Sequence, residues 1–180
     1  MTKEELIKYL NTKKNFILAI DGMCGSGKSS LAKELQILFD ANVFHMDDFY
    51  LPIEKRTSER LNQPGGNVEY ERFLETVLIP LSKGEDVYYQ RFDCTKMSLT
   101  EKEIIKYKPM NIVEGSYSLR PELVDYYSDI IVLKISNELQ IQRLTKRNPT
   151  KIDMFINKWI PLENKYFEYY HIMDEYPTMQ

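Results

Sequence analysis

The chain has 180 residues, of which 43% are hydrophobic and 28% charged, and its formal net charge is −3. These values are typical of one globular domain, and without a long basic block they argue against a nucleic-acid binder. No apolar run approaches the roughly 18 residues of a membrane span, and residues 1–15 contain no apolar core of a signal peptide. We therefore expect no membrane partner. The two cysteines, Cys24 and Cys94, form no CxxC pair and fit a reducing cytoplasm.

Short apolar segments alternate with helical patterns along the whole chain. The expected elements are, in order, a helix over 3–10, a strand over 16–20, a helix over 28–39, a strand over 42–46, a helix over 68–81, an extended segment over 86–93, strands over 111–115 and 129–135, and helices over 137–147, 151–160 and 162–172. Pro161 is expected to separate the last two helices, and residues 175–180 show no convincing strand. The alternation predicts a single α/β domain over 1–180 with a mostly parallel sheet.

Two helices have a clear apolar face, and one connection is unusually long. The predicted inward-facing residues are Leu31, Leu35 and Leu38 in the first of these helices, and Phe73, Val77 and Leu81 in the second. The segment 51–67 is polar and rich in turn residues. Its length is typical of a functional loop.

A glycine-rich segment lies between the first predicted strand and the helix that follows it. Residues 22–29, GMCGSGKS, fit the phosphate-loop motif G-x-x-x-x-G-K-S/T in the strand-to-helix context that the motif requires. Glycines let the backbone N–H groups approach phosphate oxygens closely, and the helix N-terminus favours an anion. The candidate nucleotide-binding residues are Gly22, Gly25, Ser26, Gly27, Lys28, Ser29 and Ser30. Lys28 is expected to contact the β and γ phosphates of ATP, and Ser29 to bind Mg²⁺.

Carboxylates follow the next two strands, where an open α/β sheet forms its ligand crevice. Asp47 and Asp48 follow the second strand, and either could accept a proton from an acceptor hydroxyl; Asp47 is the preferred candidate. Glu114 ends the third strand and is a candidate for Mg²⁺ or substrate binding. Ser29, Glu114 and Asp47 are thus the candidate metal ligands. The alternative for each carboxylate is an ordinary helix cap or strand end.

Positive charge is concentrated on the helix over 137–147. Arg143, Lys146 and Arg147 lie on neighbouring turns and could close over phosphates as a short lid around residues 143–152. The alternative is a solvated basic face near the helix C-terminus. The absence of a GTPase N-K-x-D motif favours a small-molecule kinase.

Six segments in order resemble those of the uridine kinase family, within the wider uridine kinase and phosphoribulokinase-like group. They are DGMCGSGKSSLA, MDDFY, NQPGGNVEYERF, VYYQRFD, IVEGSY and QRLTKRN, and they span about residues 16–150. The resemblance implies a three-layer α/β/α P-loop fold with five parallel strands. It also implies transfer of the ATP γ-phosphate, with Mg²⁺, to the 5′-hydroxyl of a nucleoside such as uridine or cytidine.

The resemblance also implies roles for single residues. Asp47 matches the catalytic base, Tyr50 the aromatic residue beside the nucleoside, Tyr89 a tyrosine at the substrate base, and Arg143 and Arg147 the lid arginines. Glu114 matches the glutamate after the third strand.

The chain departs from the family pattern at the acceptor site. The ribose-binding aspartate of the family has no clear counterpart, although Glu69 could take its place, and the base-reading histidine is missing, although Asp93 could replace it. Arg56, Arg60 and Arg91 flank the predicted acceptor pocket, where they could bind a substrate carboxylate or phosphate or remain surface residues.

Three alternatives therefore stay open at this point. The acceptor could be a nucleoside, or it could be a pantothenate-like acid, nicotinamide riboside or a sugar phosphate. A nucleotide-binding regulatory module without turnover is the third. The partner is a small molecule in the first two cases, and the aromatic segment 165–176 could pack in the core or form a homo-oligomer contact.

Overall fold

The sheet at the centre of the protein is parallel and five-stranded. In the computed structural model, which describes residues 1–180, the strands are β1 (Phe16–Gly22), β2 (Asn42–His45), β3 (Val87–Tyr89), β4 (Phe92–Asp93), β5 (Ser98–Leu99), β6 (Glu103–Ile105), β7 (Met110–Glu114), β8 (Asp129–Leu133) and β9 (Thr178–Met179). The central order is β2-β7-β1-β8-β9, with every neighbouring pair parallel. Strands β3 and β6, and β4 and β5, form two small antiparallel pairs. The predicted α/β class and parallel sheet are confirmed.

Helices cover both faces of this sheet. They are α1 (Lys3–Leu10), α2 (Lys28–Phe39), α3 (Ser58–Asn62), α4 (Tyr70–Phe73), α5 (Ile79–Ser82), α6 (Pro121–Val124), α7 (Asn137–Arg147), α8 (Ile152–Met154), α9 (Ile160–Tyr169) and α10 (Ile172–Glu175). One apolar core joins the sheet to α1 and α2, and a second joins its other face to α4, α5, α6 and α9. The three layers follow from the strands, which are buried on both faces. None of the helices combines the length and apolarity that crossing a bilayer requires.

The prediction that Pro161 separates two helices is wrong. A π-helical turn (Phe155–Trp159) joins α8 to α9, and the backbone stays helical through Trp159 and Ile160. The Ile160 N–H donates to the carbonyl of Phe155, five residues back. This wider turn accommodates a proline, which has no N–H and would clash in a regular α-helix. The same arrangement joins α4 to α5, where a π-helical turn (Leu74–Leu78) precedes Pro80.

A short strand forms at the C-terminal end of the chain, where the sequence showed no convincing one. β9 is two residues long and completes the edge of β8. The Val132 N–H donates to Pro177 O at 2.9 Å, and the Lys134 N–H donates to Met179 O at 2.8 Å. The strand exists because the exposed edge of β8 offers backbone groups that need partners.

The predicted apolar faces are largely confirmed. Phe73, Val77 and Leu81 are buried, as are Leu31 and Leu35.

Leu38 is the exception, because its side chain is 52% exposed. The neighbouring Phe39 covers the end of the core instead, with its ring edge-to-face on Phe16 at 5.6 Å.

The long segment 51–67 is folded rather than irregular. It contains a 3₁₀ turn (Ile53–Lys55) and α3, and it returns to its starting point. The Leu51 N–H donates to Asn67 O at 3.0 Å, and Tyr50 pairs with Val68 in an isolated antiparallel bridge. This closure places Asn67 beside the carboxyl ends of the central strands.

Candidate functional site

The loop between β1 and α2 is shaped to hold an anion. Gly22 has φ +133°, and a Cβ there would lie 2.1 Å from the carbonyl oxygen of Leu133, so any side chain would clash with β8. Gly27 has φ +106°, with open space where a Cβ would stand. The first N–H groups of α2 have no intrahelical partners and point into this space. The loop therefore offers backbone donors beside a cavity.

Lys28 lies folded over the same loop. Its Nζ donates to the carbonyls of Gly22 at 2.6 Å and Met23 at 3.1 Å, and to Ser116 Oγ at 3.2 Å. The side chain is buried at 8% exposure, so its charge is held close to the loop. The arrangement fixes an ammonium group next to the backbone donors.

Glu114 and Ser29 lie together beside this loop. The Ser29 hydroxyl donates to the Glu114 carboxylate, with Ser29 Oγ 3.2 Å from Oε1 and 3.3 Å from Oε2. His45, one strand away in β2, contacts Glu114 Oε1 through Nδ1 at 2.6 Å, and this hydrogen bond raises the pKa of His45. The sequence analysis gave His45 no role. Its adjacency to Glu114 arises from the β2–β7 register, which places the two residues side by side.

The two aspartates after β2 have different surroundings. Both lie on a 3₁₀ turn (Met46–Phe49). Asp48 accepts a hydrogen bond from the Tyr89 hydroxyl at 2.8 Å, whereas Asp47 lines the cavity at the phosphate loop. Desolvation raises the pKa of Asp47, and the nearby carboxylate of Glu114 raises it further. The Lys28 ammonium lowers it. Asp47 is thus the aspartate that faces the cavity.

Helix α9 contributes a buried carboxylate to the phosphate loop, which the sequence analysis did not predict. Glu163 Oε2 accepts from the Cys24 N–H at 2.9 Å, and Oε1 accepts from Ser116 Oγ at 2.5 Å. The residue is 5% exposed. A usable indication was in the sequence, because Glu163 stands three residues before Tyr166 on a face that is otherwise apolar.

A second buried carboxylate lies beneath the loop. Asp21 accepts hydrogen bonds from the Gly22 N–H at 2.6 Å, the Leu119 N–H at 3.0 Å and the Tyr166 hydroxyl at 2.8 Å. Burial raises the pKa of Asp21 to about 6, against the lowering effects of Lys28 and these donors. The folded protein therefore binds this proton more tightly than the unfolded chain. This group makes stability fall as pH rises from 3.8 to about 6.

The Tyr166→Phe variant is expected to be less stable by about 1.5–3 kcal/mol, because the ionised Asp21 loses a hydrogen-bond donor. The loss should be largest above the Asp21 pKa of about 6 and smaller below it, where the carboxyl is protonated. Urea unfolding at about pH 5 and about pH 8 measures the difference. Tyr169→Phe is the control, since Tyr169 is 65% exposed. An equal loss at both pH values would contradict the role given to the charge.

Helix α7 brings two arginines to the rim of the loop. Arg143 Nη1 lies 3.2 Å from Gly25 O and 3.4 Å from Ser26 O. Arg147 stacks over the ring of Phe155 at 5.9 Å. Both line the smaller cavity, and their lid role stays a prediction.

Two cavities meet at the phosphate loop. One, of about 740 Å³, is lined by Lys28, Asp47, Tyr50, Asn67, Glu114 and Trp159 among others. The other, of about 1060 Å³, lies along α2, the end of β8 and the C-terminal residues. Ser30 and Arg143 line both cavities.

Most of the residues predicted to bind the acceptor do not line the smaller cavity. Tyr89 is buried and bound to Asp48, and Glu69 pairs with Lys55 at 2.5 Å and Arg72 at 2.6 Å. These polar groups are satisfied within the protein.

Asp93 in β4 and Arg91 just before it also lie outside the smaller cavity. Asp93 accepts from the backbone N–H groups of Thr95 and Lys96 in a turn. Arg91 lies 3.8 Å from Glu103 on the surface.

The arginines of the segment 51–67 do not line the smaller cavity either, although Arg56 lies over the ring of Tyr50 at 5.6 Å. Arg56 donates to Leu51 O at 2.8 Å, and Arg60 binds Glu71 and the carbonyls of Gly66 and Val68. Of the predicted acceptor residues, only Tyr50 and Glu114 line the cavity.

A parallel sheet in this order, with a phosphate loop between its central strand and the next helix, is the architecture of the P-loop NTPases. Comparison with solved structures places the chain within this fold. It superposes on a possible uridine kinase from Bacillus stearothermophilus with a TM-score of 0.75 and 21% identity, covering 99% of this chain and 97% of that one.

Two further structures share the fold. YFH7 from Saccharomyces cerevisiae, a proposed P-loop containing kinase with a circular permutation, gives a TM-score of 0.67 at 12% identity, over 98% of this chain and 97% of that one. The YGR205w protein gives a TM-score of 0.57 at 16% identity, over 92% of this chain and 86% of that one. No protein-family model and no curated protein sequence matches the chain.

Proposed function

We propose that this protein is an ATP-dependent small-molecule kinase that transfers the γ-phosphate to a hydroxyl group, with the 5′-hydroxyl of a nucleoside such as uridine or cytidine as the leading acceptor. The observation that carries the proposal is the meeting of two cavities at one phosphate loop. Ser30 and Arg143 lie at the junction, and Lys28 and Asp47 line the smaller cavity. A kinase needs this geometry, because two substrates must meet in line.

The larger cavity is the proposed site of the nucleoside part of ATP. It begins at Ser26 and Ser30, beside the loop, and continues between Leu139 of α7 and the C-terminal residues Met179 and Gln180. The phosphates then lie on the N–H groups of the loop, with the γ-phosphate directed at the smaller cavity. Lys28, Arg143 and Arg147 neutralise charge that develops on the transferred group.

The donor set fits Mg²⁺. Mg²⁺ keeps several waters and is bound by one or two protein oxygens together with substrate phosphates, so a serine hydroxyl and one carboxylate suffice. Ser29 and Glu114 lie 3.2 Å apart at the loop and would hold the ion. Consistent with this, no cluster of three histidine, cysteine, aspartate or glutamate side chains is arranged as a metal site by itself. The ion would shield the charges of the phosphates during transfer.

Asp47 is the proposed general base. As the acceptor oxygen attacks the γ-phosphorus, its proton passes to the Asp47 carboxylate and the bond to the bridging oxygen breaks, leaving ADP. The raised pKa of Asp47 brings its basicity closer to the operating pH, which favours proton transfer. Asp48, bound to Tyr89, is less free to take this part.

Coupled measurement of ADP release with MgATP tests the proposal against a panel of nucleosides, vitamins and sugars. We expect release to depend on an acceptor and to be slow without one, since a kinase excludes water when its substrates are enclosed. A protein that released no acceptor-dependent ADP across the panel would not be the proposed kinase.

A further inference from the structure

The charge of Lys28 is held at the phosphate loop without an ion pair. Its Nζ has three protons and three acceptors, which are the carbonyls of Gly22 and Met23 and the hydroxyl of Ser116. All three are neutral oxygens, and Lys28 takes part in none of the salt bridges of the protein. The ammonium is therefore fixed in place while its charge stays available to an anion.

The strand order brings Ser116 to this lysine. β7 lies beside β1, and just after β7 the Gly115 N–H donates to Ile20 O at 3.1 Å. The chain therefore leaves β7 next to the start of the phosphate loop. Ser116 is 7% exposed there, and its hydroxyl oxygen lies 2.5 Å from Glu163 Oε1. Ser116 thus stands between the lysine and the carboxylate.

The direction of the Ser116 proton follows from its neighbours. A serine hydroxyl has one proton and can donate it to only one acceptor. The Glu163 carboxylate is both the stronger and the nearer acceptor, at 2.5 Å against 3.3 Å for the carbonyl of Gly22. The proton then lies towards Glu163, and the lone pairs of Ser116 are left for Lys28 Nζ at 3.2 Å. Glu163 thereby makes Ser116 an acceptor for the lysine.

The position of Glu163 is unfavourable for stability. The residue is 5% exposed, has no cation in contact, and lies in the wall of the smaller cavity beside the phosphate loop. A buried carboxylate without a cationic partner destabilises a fold, and here it also repels a bound phosphate. Its two oxygens accept from the Cys24 N–H and from Ser116, so its contacts serve the loop. Departures of this kind from favourable packing are typical of functional sites.

We infer that Glu163 is a positioning residue, which acts through Ser116 to hold the Lys28 ammonium for the transferred phosphate without neutralising it. A carboxylate in direct contact with Lys28 would compete with the phosphate for the same charge. The intervening hydroxyl avoids this competition, because it links the two groups by hydrogen bonds and keeps their charges apart. The inference rests on the proposed function for the role of Lys28 in transfer, whereas the linked hydrogen bonds can be measured without turnover.

The Glu163→Gln variant removes the charge and keeps the shape of the side chain. Its amide has a single oxygen, so it cannot accept from both the Ser116 hydroxyl and the Cys24 N–H. We expect kcat to fall by about tenfold to a hundredfold, with the KM for ATP unchanged or lower, because a repelling charge beside the phosphates is gone. Glu175→Gln is the matched control, since Glu175 is exposed on α10. A raised KM for ATP with an unchanged kcat would overturn the inference.

The Ser116→Ala variant separates this role from a structural one. By itself it should lower kcat about as much as Glu163→Gln does, because Lys28 loses the same contact. In the Ser116→Ala background, Glu163→Gln should lower kcat by less than about threefold, since the link is already broken. If Glu163 acted only by holding the Cys24 N–H, the two losses would multiply, and that result would overturn the inference.

NMR of the lysine ammonium groups tests the linked hydrogen bonds in the nucleotide-free protein. A buried ammonium with three acceptors exchanges its protons slowly, so wild-type Lys28 should give a signal that Lys28→Ala removes. We expect Glu163→Gln to shift or broaden this signal and Glu175→Gln to leave it unchanged. The absence of a Lys28 signal in the wild-type protein, or a signal that Glu163→Gln leaves in place, would contradict the inference.

Failure of the inference is distinguishable from failure of the proposed function. If ADP release depends on an acceptor and Glu163→Gln does not slow it, the kinase stands and the inference falls. If no acceptor supports ADP release, but Glu163→Gln displaces the Lys28 signal, the positioning of Lys28 by Glu163 stands and the kinase falls.

Discussion

The Lys28→Ala variant is expected to lose phosphotransfer almost completely, with kcat reduced by about 10³-fold or more. In the structure its ammonium is held at the phosphate loop by hydrogen bonds to the carbonyls of Gly22 and Met23, so its charge is already beside the proposed phosphate site. In the proposed reaction, its removal leaves the γ-phosphate without the cation that is held at the loop. Steady-state ADP release, together with nucleotide binding by calorimetry, measures both parts of the loss.

Lys33→Ala is the control for this experiment, because Lys33 lies on the same helix and is exposed. A thermal melt of each variant is required, since Lys28 lowers the pKa of the buried Asp21 and its removal also affects stability. An unchanged rate of ADP release and an unchanged ATP affinity in a folded Lys28→Ala protein would contradict the phosphate-loop assignment itself.

The Asp47→Asn variant is expected to lower kcat by about 10²- to 10⁴-fold while ATP binding is retained. Asparagine keeps the shape of the side chain but cannot accept the acceptor's proton. If Asp47 is the base, the wild-type protein should gain activity as pH rises through the raised pKa of Asp47, because the base must be ionised, and the variant should lack this limb. A pH profile of kcat/KM distinguishes loss of the base from a general structural effect.

Asp48→Asn is the matched control, one residue away on the same turn. Its amide oxygen can still accept the Tyr89 hydroxyl, so we expect less than about a tenfold change in kcat. If Asp48→Asn were the more damaging substitution, the base would be Asp48. If neither affected kcat although both bound ATP, the regulatory-module alternative would gain support.

The residues predicted to bind the acceptor show why residue type alone was an incomplete guide. Arg60 was a candidate for binding a substrate anion, yet its guanidinium bonds to Glu71 and to two backbone carbonyls. Glu69 was a candidate for a sugar hydroxyl, yet it pairs with two cations. A sequence does not show which polar groups are satisfied by other parts of the chain.

Local structure was largely decided by the sequence alone. The phosphate loop could be predicted because its glycines, Lys28 and Ser29 are consecutive, and the flanking strand and helix have clear hydrophobic periods. The same holds for the parallel sheet, whose strands are short runs buried on both faces. Asp47 and Glu114 were found because the carboxyl ends of such strands must meet at one edge.

Only the tertiary structure decided what surrounds those residues. Helix α9 places Glu163 on the phosphate loop and Tyr166 on Asp21, about 140 residues away along the chain. The continuity of that helix through Pro161 depends on a π-helical turn, and β9 exists because the edge of β8 requires partners. These contacts join segments distant in sequence, where periodicity carries no information about which surfaces meet, and packing of the whole chain selects them.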